Sequence, residues 1–538
     1  MRALFKIALA AVLAVPAVAC GGRPNVYDAP VTQVQTFALE NEVAVVDRGA
    51  NRVMLLTPHL DQELERKTIP TGKGTLRAEP SADGKRLFVL TMGDLPRRKD
   101  LDERAALTVI ENGGGRRYDL ESAHSGFAID PAGRYVALYA APPGAGGGAQ
   151  TAFVENPNEI VVIDLQAPIP EAVTPRTIRS FGGRPQRVTF TDPLLLPGGP
   201  RRLLVVETDQ DLQILDLDNI RAVPRHPEIT VRLTSGSSAV ALRPAAIVVD
   251  DGDPGKNDDA RIGVRIENSP SVFTLQLVAQ APGAQPEEPG SVPNDFRPEV
   301  NLTDVGGPPG DIVFVRTDAG LRLAAIVPSK RAAVLVDPTT SITTEVELPQ
   351  GYSKISLITN VVGGAAGTDT ALLYGASGGV AFWSLGKAVG QTYRTVEVVP
   401  LQGNVERVLD VPPPRPELKV LQGNQASGFF VLNLASRTAA PLTTLGAANL
   451  HVSPDGQRIW AYLRGTGNLS QVTLDNLHPR ELPLDRTIDA VYDVARREGG
   501  RSLIAIDARG AGGATVLDAL APDTATSKSF YGLLLEDL

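Results

Sequence analysis

The sequence predicts an all-β fold, a β-propeller built of four-stranded antiparallel blades, about 8–10 repeat units in all. Three observations carry that expectation. A turn-and-strand phrase occurs in three closely matching copies. Apolar β-type runs return every 35 to 60 residues or so along the chain. No long stretch keeps the 3.6-residue period of an amphipathic helix.

The phrase is Pro80-Ser81-Ala82-Asp83-Gly84-Lys85-Arg86-Leu87-Phe88-Val89-Leu90. It aligns with Val452-Ser453-Pro454-Asp455-Gly456-Gln457-Arg458-Ile459-Trp460-Ala461-Tyr462, and a third copy is Asp130-Pro131-Ala132-Gly133-Arg134-Tyr135-Val136-Ala137-Leu138. Each reads as a strand end, a tight turn and an apolar strand. Glycine supplies the positive φ of the turn, and the aspartate can hydrogen-bond the turn's own backbone. The third strand of the repeat is read at Val53–Leu56, Leu107–Ile110, Ile160–Leu165, Leu212–Leu217, Val272–Val278, Ala332–Asp337, Val380–Leu385, Phe429–Leu434, Leu469–Leu474 and Ala514–Leu517. A more polar strand such as Arg176–Phe181 follows. Inner strands such as Leu87–Leu90 and Leu203–Val206 are apolar on both faces, as sheets stacked face to face require. The final apolar run, Phe530 to Leu535, is too short and Gly-broken for a free helix, so it is expected to pack beside the first unit (Val34–Leu39, Val43–Val46, Val53–Leu56) and remove an open edge.

The amino end reads as an export signal. Arg2 and Lys6 form a short positive region, and an apolar stretch from Ile7 to Val18 closes on Ala17-Val18-Ala19-Cys20. That stretch is too short to span a bilayer. The order small–Val–Ala–Cys resembles the bacterial lipobox, with Ala17 where leucine is usual. The resemblance implies cleavage before Cys20 and lipidation of its thiol. The same residues form an A-x-A site for ordinary signal peptidase, which would release a soluble protein. Cys20 is the single cysteine of 538 residues and occupies the one position lipidation needs, which favours the lipoprotein. The resulting organisation is a signal peptide over 1–19, a lipidated amino end and tether over 20–32, and a propeller over 33–538. Several acyl chains anchor stably where one binds only marginally. Gly21 rather than aspartate after the cysteine implies the outer membrane, under the sorting rule of enterobacterial lipoproteins.

Composition fits a packed domain: 43% apolar and 21% charged, with a formal charge of −9. Loss of Arg2 and Lys6 leaves 50 basic against 61 acidic residues, about −11. That sign opposes nucleic acid and anionic lipid as partners. With no second cysteine, stability must come from packing; a chain of this size buries roughly three quarters of its unfolded surface.

The phrase Ser-Pro-Asp-Gly-x-Arg-hydrophobic, at residues 80–90, 130–138 and 452–462, resembles the repeat of TolB-type and YVTN-type bacterial β-propellers. Relatives of that kind include periplasmic scaffolds, one of them a lipoprotein of the outer-membrane barrel assembly machine, so the resemblance implies a scaffold role. YVTN-type relatives also include lactonase-like enzymes, but no motif here carries their catalytic positions across.

Local candidates for chemistry are few. Gly375-Ala376-Ser377-Gly378-Gly379 matches the G-x-S-x-G elbow, which needs a strand-to-helix turn. The flanks Ala371–Tyr374 and Val380–Trp383 are both strand-like, so a hairpin turn is the simpler reading. The histidines His59, His124, His226, His451 and His478 lie far apart, without zinc-type spacing. In Asp250-Asp251-Gly252-Asp253-Pro254-Gly255-Lys256-Asn257-Asp258-Asp259, the residues Asp251, Asp253, Asn257 and Asp259 are a weak calcium candidate. The EF-hand order fails, because Gly255 takes a ligand place and Glu267 comes too late to close the loop; a solvated loop is simpler. Pro96 to Arg104 alternates in charge as a hydrated loop does. The insertions Pro142–Asn158 and Pro282–Pro298 have the composition of disordered connections.

The reading that follows is a membrane-anchored extracytoplasmic lipoprotein whose propeller is a protein-binding scaffold, with Cys20 as lipidation site. No catalytic residue, cofactor or nucleic-acid partner is expected. The alternative is a hydrolase or lyase of the lactonase-like type with its site in the central channel.

Overall fold

The structure is a computed structural model that describes residues 34–142, 156–178, 183–234, 242–285, 289–317, 319–358, 370–385, 396–423, 428–442 and 449–535. Cys20, the signal peptide, the tether and most of the Pro142–Asn158 insertion lie outside the described residues. The described strands form eight four-stranded sheets, one six-stranded sheet and a two-stranded hairpin. Every four-stranded sheet is an antiparallel meander of strands taken in chain order. The one interruption is the hairpin Leu194–Leu196 with Gly199–Arg201, set between the first two strands of its sheet. The fold is a β-propeller of four-stranded antiparallel blades.

Eight of the ten expected third strands are third in a four-stranded sheet, for example Arg52–Pro58, Ala106–Glu111, Glu159–Asp164 and Asp211–Asp216. The other two, Val380–Leu385 and Phe429–Leu434, fall in the six-stranded sheet. Its strands Thr370–Ser384 and Val396–Asp410 are each 15 residues long and use their two halves for different neighbours. Thr370–Tyr374 pairs with Lys354–Ile358, and Gly379–Trp383 pairs with Val396–Pro400. Val405–Asp410 then pairs with Leu418–Gly423. No loop separates Pro400 from Val405, so the chain passes from one repeat into the next without leaving the sheet. The polar strand expected at Arg176–Phe181 is found earlier, at Val173–Thr177, after a single helical turn at Ile169–Ala172.

The chain divides into two compact units, one of residues 1–70, 444–454 and 458–538, the other of residues 71–443 and 455–457. In the larger unit, successive sheets bury apolar residues between their faces. Phe88, Leu107 and Tyr118 meet Phe127, Val136 and Ile163 in this way, and Val205 and Ile214 meet Ile262 and Leu275. This is why the inner strands are apolar on both sides. In the smaller unit the last sheet packs on the first: Val494, Ile504 and Val516 meet Val43, Val45, Met54 and Leu56. The terminal run behaves as expected. Lys528–Tyr531 is the fourth strand of the last sheet. Leu533 then enters the shared core, Arg52 Nη2 donates to the Leu534 carbonyl at 2.6 Å, and Lys528 reaches Glu63.

The three copies of the repeated phrase build one hydrogen-bond circuit. Ser81 N donates to Arg86 O (2.8 Å), and Arg86 N returns to Ser81 Oγ (3.0 Å); Ser453 and Arg458 do the same at 2.9 and 2.9 Å. Asp83 Oδ1 accepts from Lys85 N and Asp455 Oδ1 from Gln457 N, each at 3.1 Å. In the third copy Asp130 stands where the serine does, and its carboxylate takes Ala132 N and Arg134 N. Gly84, Gly133 and Gly456 have φ of 68°, 70° and 63°. A side chain in that region is strained, so Gly84→Ala should destabilise by about 1 kcal/mol or slightly more. A urea midpoint that does not move would contradict this account of the turn.

Candidate functional site

The local candidates are not gathered into a site. In the acidic loop Asp251 Oδ1 accepts from Leu195 N (2.6 Å). Asp253 is held by Lys256 (2.7 Å) and Arg316 (3.3 Å), and Asp259 Oδ2 accepts from Asp253 N (3.0 Å). The cations beside Asp253 hold its carboxyl below the usual range, with the Lys256 hydrogen bond the largest cause. Asn257 is exposed. Among the described residues no three His, Cys, Asp or Glu side chains converge as metal ligands do. Ser377 lies inside a continuous strand, between left-handed Gly375 and Gly378, and the strand continues past it to Ser384, so the strand-to-helix turn of the elbow is not met. The hairpin turn expected there is not formed: the two flanks are one strand, with Thr370–Tyr374 paired to Lys354–Ile358 and Gly379–Trp383 to Val396–Pro400.

The histidines are dispersed as well. His124 is fully buried beside the Ser122 carbonyl (3.1 Å), and burial holds its imidazole below the ordinary value. His59 bridges Glu498 (2.7 Å) and Glu65 (3.4 Å), which raises it, the Glu498 bond being the main cause. The second half of the Pro282–Pro298 insertion is docked and not loose. Val292 N donates to Arg225 O (3.0 Å) and Asn294 Nδ2 to Pro227 O (2.9 Å).

What the fold does assemble is a cavity of about 1010 Å³ in the larger unit. It is lined by the first strands of four consecutive sheets: Thr75–Pro80, Gly126–Ile129, Pro185–Phe190 and Pro244–Asp250. Side chains from the ends of their second strands complete it. Its charged residues are four arginines (Arg77, Arg187, Arg243, Arg265) and three glutamates (Glu79, Glu207, Glu267).

Strand periodicity produces the pairing. Arg77 and Glu79 are two residues apart, so they share a face of their strand, and Arg77 Nε donates to Glu79 at 2.7 Å. The Arg77 guanidinium also lies 5.3 Å from the centre of the Phe127 ring. Arg187 faces Glu207 across the Pro185–Phe190/Leu203–Thr208 ladder and grips it with two bonds of 2.7 and 2.6 Å. Glu207 is completely buried, and this hydrogen-bonded pairing raises the Arg187 value further. Arg243 and Glu267 pair at 3.3 Å. Tyr139 also lines the cavity, and burial pushes its phenol up against the opposing effect of Arg77 and Arg187.

Arg265 differs from the other three. Among the described residues its Nη groups reach only two carbonyls, Pro309 O at 3.4 Å and Ala245 O at 3.5 Å, and its Nε is enclosed without a partner. Sequence reasoning missed this cavity. Its signal was present in Arg77, Arg187 and Arg265, each on a first or second strand, but these three belong to three different sheets.

No family profile matches the sequence, and no curated protein does. Among solved structures, the chain is similar to a Dos1 propeller at 10% identity and a TM-score of 0.38, covering 71% of this chain and 89% of that one. It is similar to apo AztD from Citrobacter koseri at 9% identity and a TM-score of 0.33, covering 77% and 96%. The dihydro-heme d1 dehydrogenase NirN is similar at 12% identity and a TM-score of 0.35, covering 79% of this chain and 71% of that chain.

Proposed function

We propose that this protein is an extracytoplasmic lipoprotein, anchored through Cys20 to the bacterial outer membrane, whose propeller is a protein-binding scaffold. The observation that carries the binding half is the cavity. Its glutamates each face an arginine. Three arginine–glutamate pairs set on the strands of four consecutive sheets suit recognition, since such pairs fix orientation and specificity. A channel-sited hydrolase or lyase would need a carboxylate free to act as a base. The anchoring half rests on the lone cysteine at the end of the signal stretch.

Cys20→Ser should abolish acylation and move the protein from the membrane fraction to the soluble one. Crosslinking pull-down from native membranes should retrieve one protein reproducibly with the wild-type chain. Membrane association that survives the change, with no lipid on the wild type by mass spectrometry, would overturn the anchor. Retrieval of no protein would overturn the scaffold.

A further inference from the structure

We infer that the cavity takes a carboxylate, carried by an acidic side chain of an extended segment of a partner protein. This deepens the scaffold reading and rests on it. The starting point is Arg265. A guanidinium carries five donors in a planar fork that matches a carboxylate. Here that fork has no carboxylate partner among the described residues, only two long bonds to carbonyls, and one enclosed donor bonds nothing. The long bonds of the two terminal nitrogens are the ones that a carboxylate can replace with shorter, charge-assisted ones. Arg187 Nη2 also donates to Ala245 O, at 2.5 Å, so two guanidiniums converge on one carbonyl oxygen. Glu207 already balances Arg187, so Arg265 is the one of the two without a carboxylate opposite it among the described residues.

The charge pattern selects the anion. A mature chain with a net charge of about −11 would repel acidic ligands almost everywhere. The cavity inverts that sign, with four arginines against three glutamates. A surplus of one positive charge suits a monoanionic carboxylate. A phosphate, carrying between one and two negative charges at neutral pH, would face Glu79 and Glu267 in the same wall. Size then selects the carrier. About 1010 Å³ is at the upper end of small-ligand pockets and far exceeds one carboxyl group. Phe127, Ile129 and Val188 add an apolar flank for the rest of a peptide segment.

The test is binding of a capped pentapeptide with a single charge, acetyl-Ala-Ala-Glu-Ala-Ala-amide carrying an uncharged coumarin label, to the purified mature domain, followed by anisotropy, with the Gln peptide as the uncharged probe. Acetate and inorganic phosphate serve as competitors. The Glu peptide should bind at least tenfold tighter than the Gln peptide. Arg265→Met should weaken it tenfold or more, Arg265→Lys should fall between, and Arg97→Met, which removes an equal charge from an exposed loop, should change little. Equal binding by Arg265→Met and wild type, at unchanged melting temperature, would overturn the site. If Arg265→Met fails to fold, Arg265→Lys binding as tightly as wild type does the same. Phosphate competing better than acetate would overturn the choice of carboxylate. Acetate matching the Glu peptide mole for mole would overturn the peptide. None of these failures changes what the membrane pull-down retrieves, so the scaffold reading stands or falls separately.

Discussion

Removing residues 530–538 should destabilise the first and last sheets by roughly 4–6 kcal/mol and make the protein aggregate. The size follows from what the segment covers. Leu533 is buried in the core shared by the two sheets, and Phe530 and Leu534 pack against it half-buried. A fully buried side chain of this size is worth about 1.5–3 kcal/mol, and the two partly buried ones somewhat less. The deletion also takes the Leu534 carbonyl from Arg52 and the Leu535 carbonyl from Arg66. It strips part of the fourth strand from Gly513–Asp518, leaving an unpaired edge that invites intermolecular pairing. Hydrogen exchange should show lost protection in Val43–Asp47 and Gly513–Asp518. Unchanged protection and unchanged solubility would mean that the run is a dispensable tail.

The packing of this run was readable from the sequence because a cluster of large apolar residues at a chain end has few physical solutions. The strands were readable for a related reason. The turn circuit of Ser81, Asp83 and Gly84 is local, and so is its copy at Ser453, Asp455 and Gly456, so hydrogen bonding and sequence spacing coincide. The merged six-stranded sheet was not readable. Whether a strand ends at Pro400 or continues through Val405 depends on which neighbours accept its bonds, and those neighbours lie elsewhere in the chain.

The site was legible least of all. The acidic loop drew attention because its carboxylates are adjacent in sequence. Yet Arg316, which bonds Asp253, lies 63 residues further on, and a count of local charges cannot include it. The arginine cavity has the opposite character. Arg77, Arg187 and Arg265 each sit in an ordinary strand among apolar neighbours, and only the stacking of four sheets brings them to one space. Local patterning therefore reported the blades faithfully, and the surface they jointly present stayed hidden until they were stacked.

Asp493→Ala should cost about 3–5 kcal/mol, the range for leaving a buried charge without its partner. The Asp493 carboxylate is fully enclosed in the strand Ala490–Ala495. It accepts from Trp460 Nε1 at 3.0 Å and from Arg501 Nε at 2.6 Å, and Arg501 Nη2 bonds the Asp493 carbonyl at 2.9 Å. Trp460 is itself completely buried, so its N–H has no recourse to water. The adjacent Tyr492, pushed up to about 12 by burial, donates to Thr36 O at 2.8 Å and ties the same strand to the first sheet. Asp493→Asn can still accept from Trp460 but loses the charge opposite Arg501, so its cost should be smaller. His451 adds a pH dependence, because its Nε2 accepts the Asp493 N–H at 3.4 Å and burial holds the imidazole below its ordinary value. Both states are neutral there above the unfolded value of about 6.5. As pH falls below that, the unfolded chain takes up the proton first, and stability is lost by up to about 1.4 kcal/mol per pH unit until the folded value is reached. Urea unfolding at pH 7.5 and 5.5, read by tryptophan fluorescence, measures both effects. His451→Gln should flatten part of the acid slope. A loss under 1 kcal/mol in Asp493→Ala would show that Trp460 and Arg501 find other partners, and that the buried carboxylate is not what joins these strands.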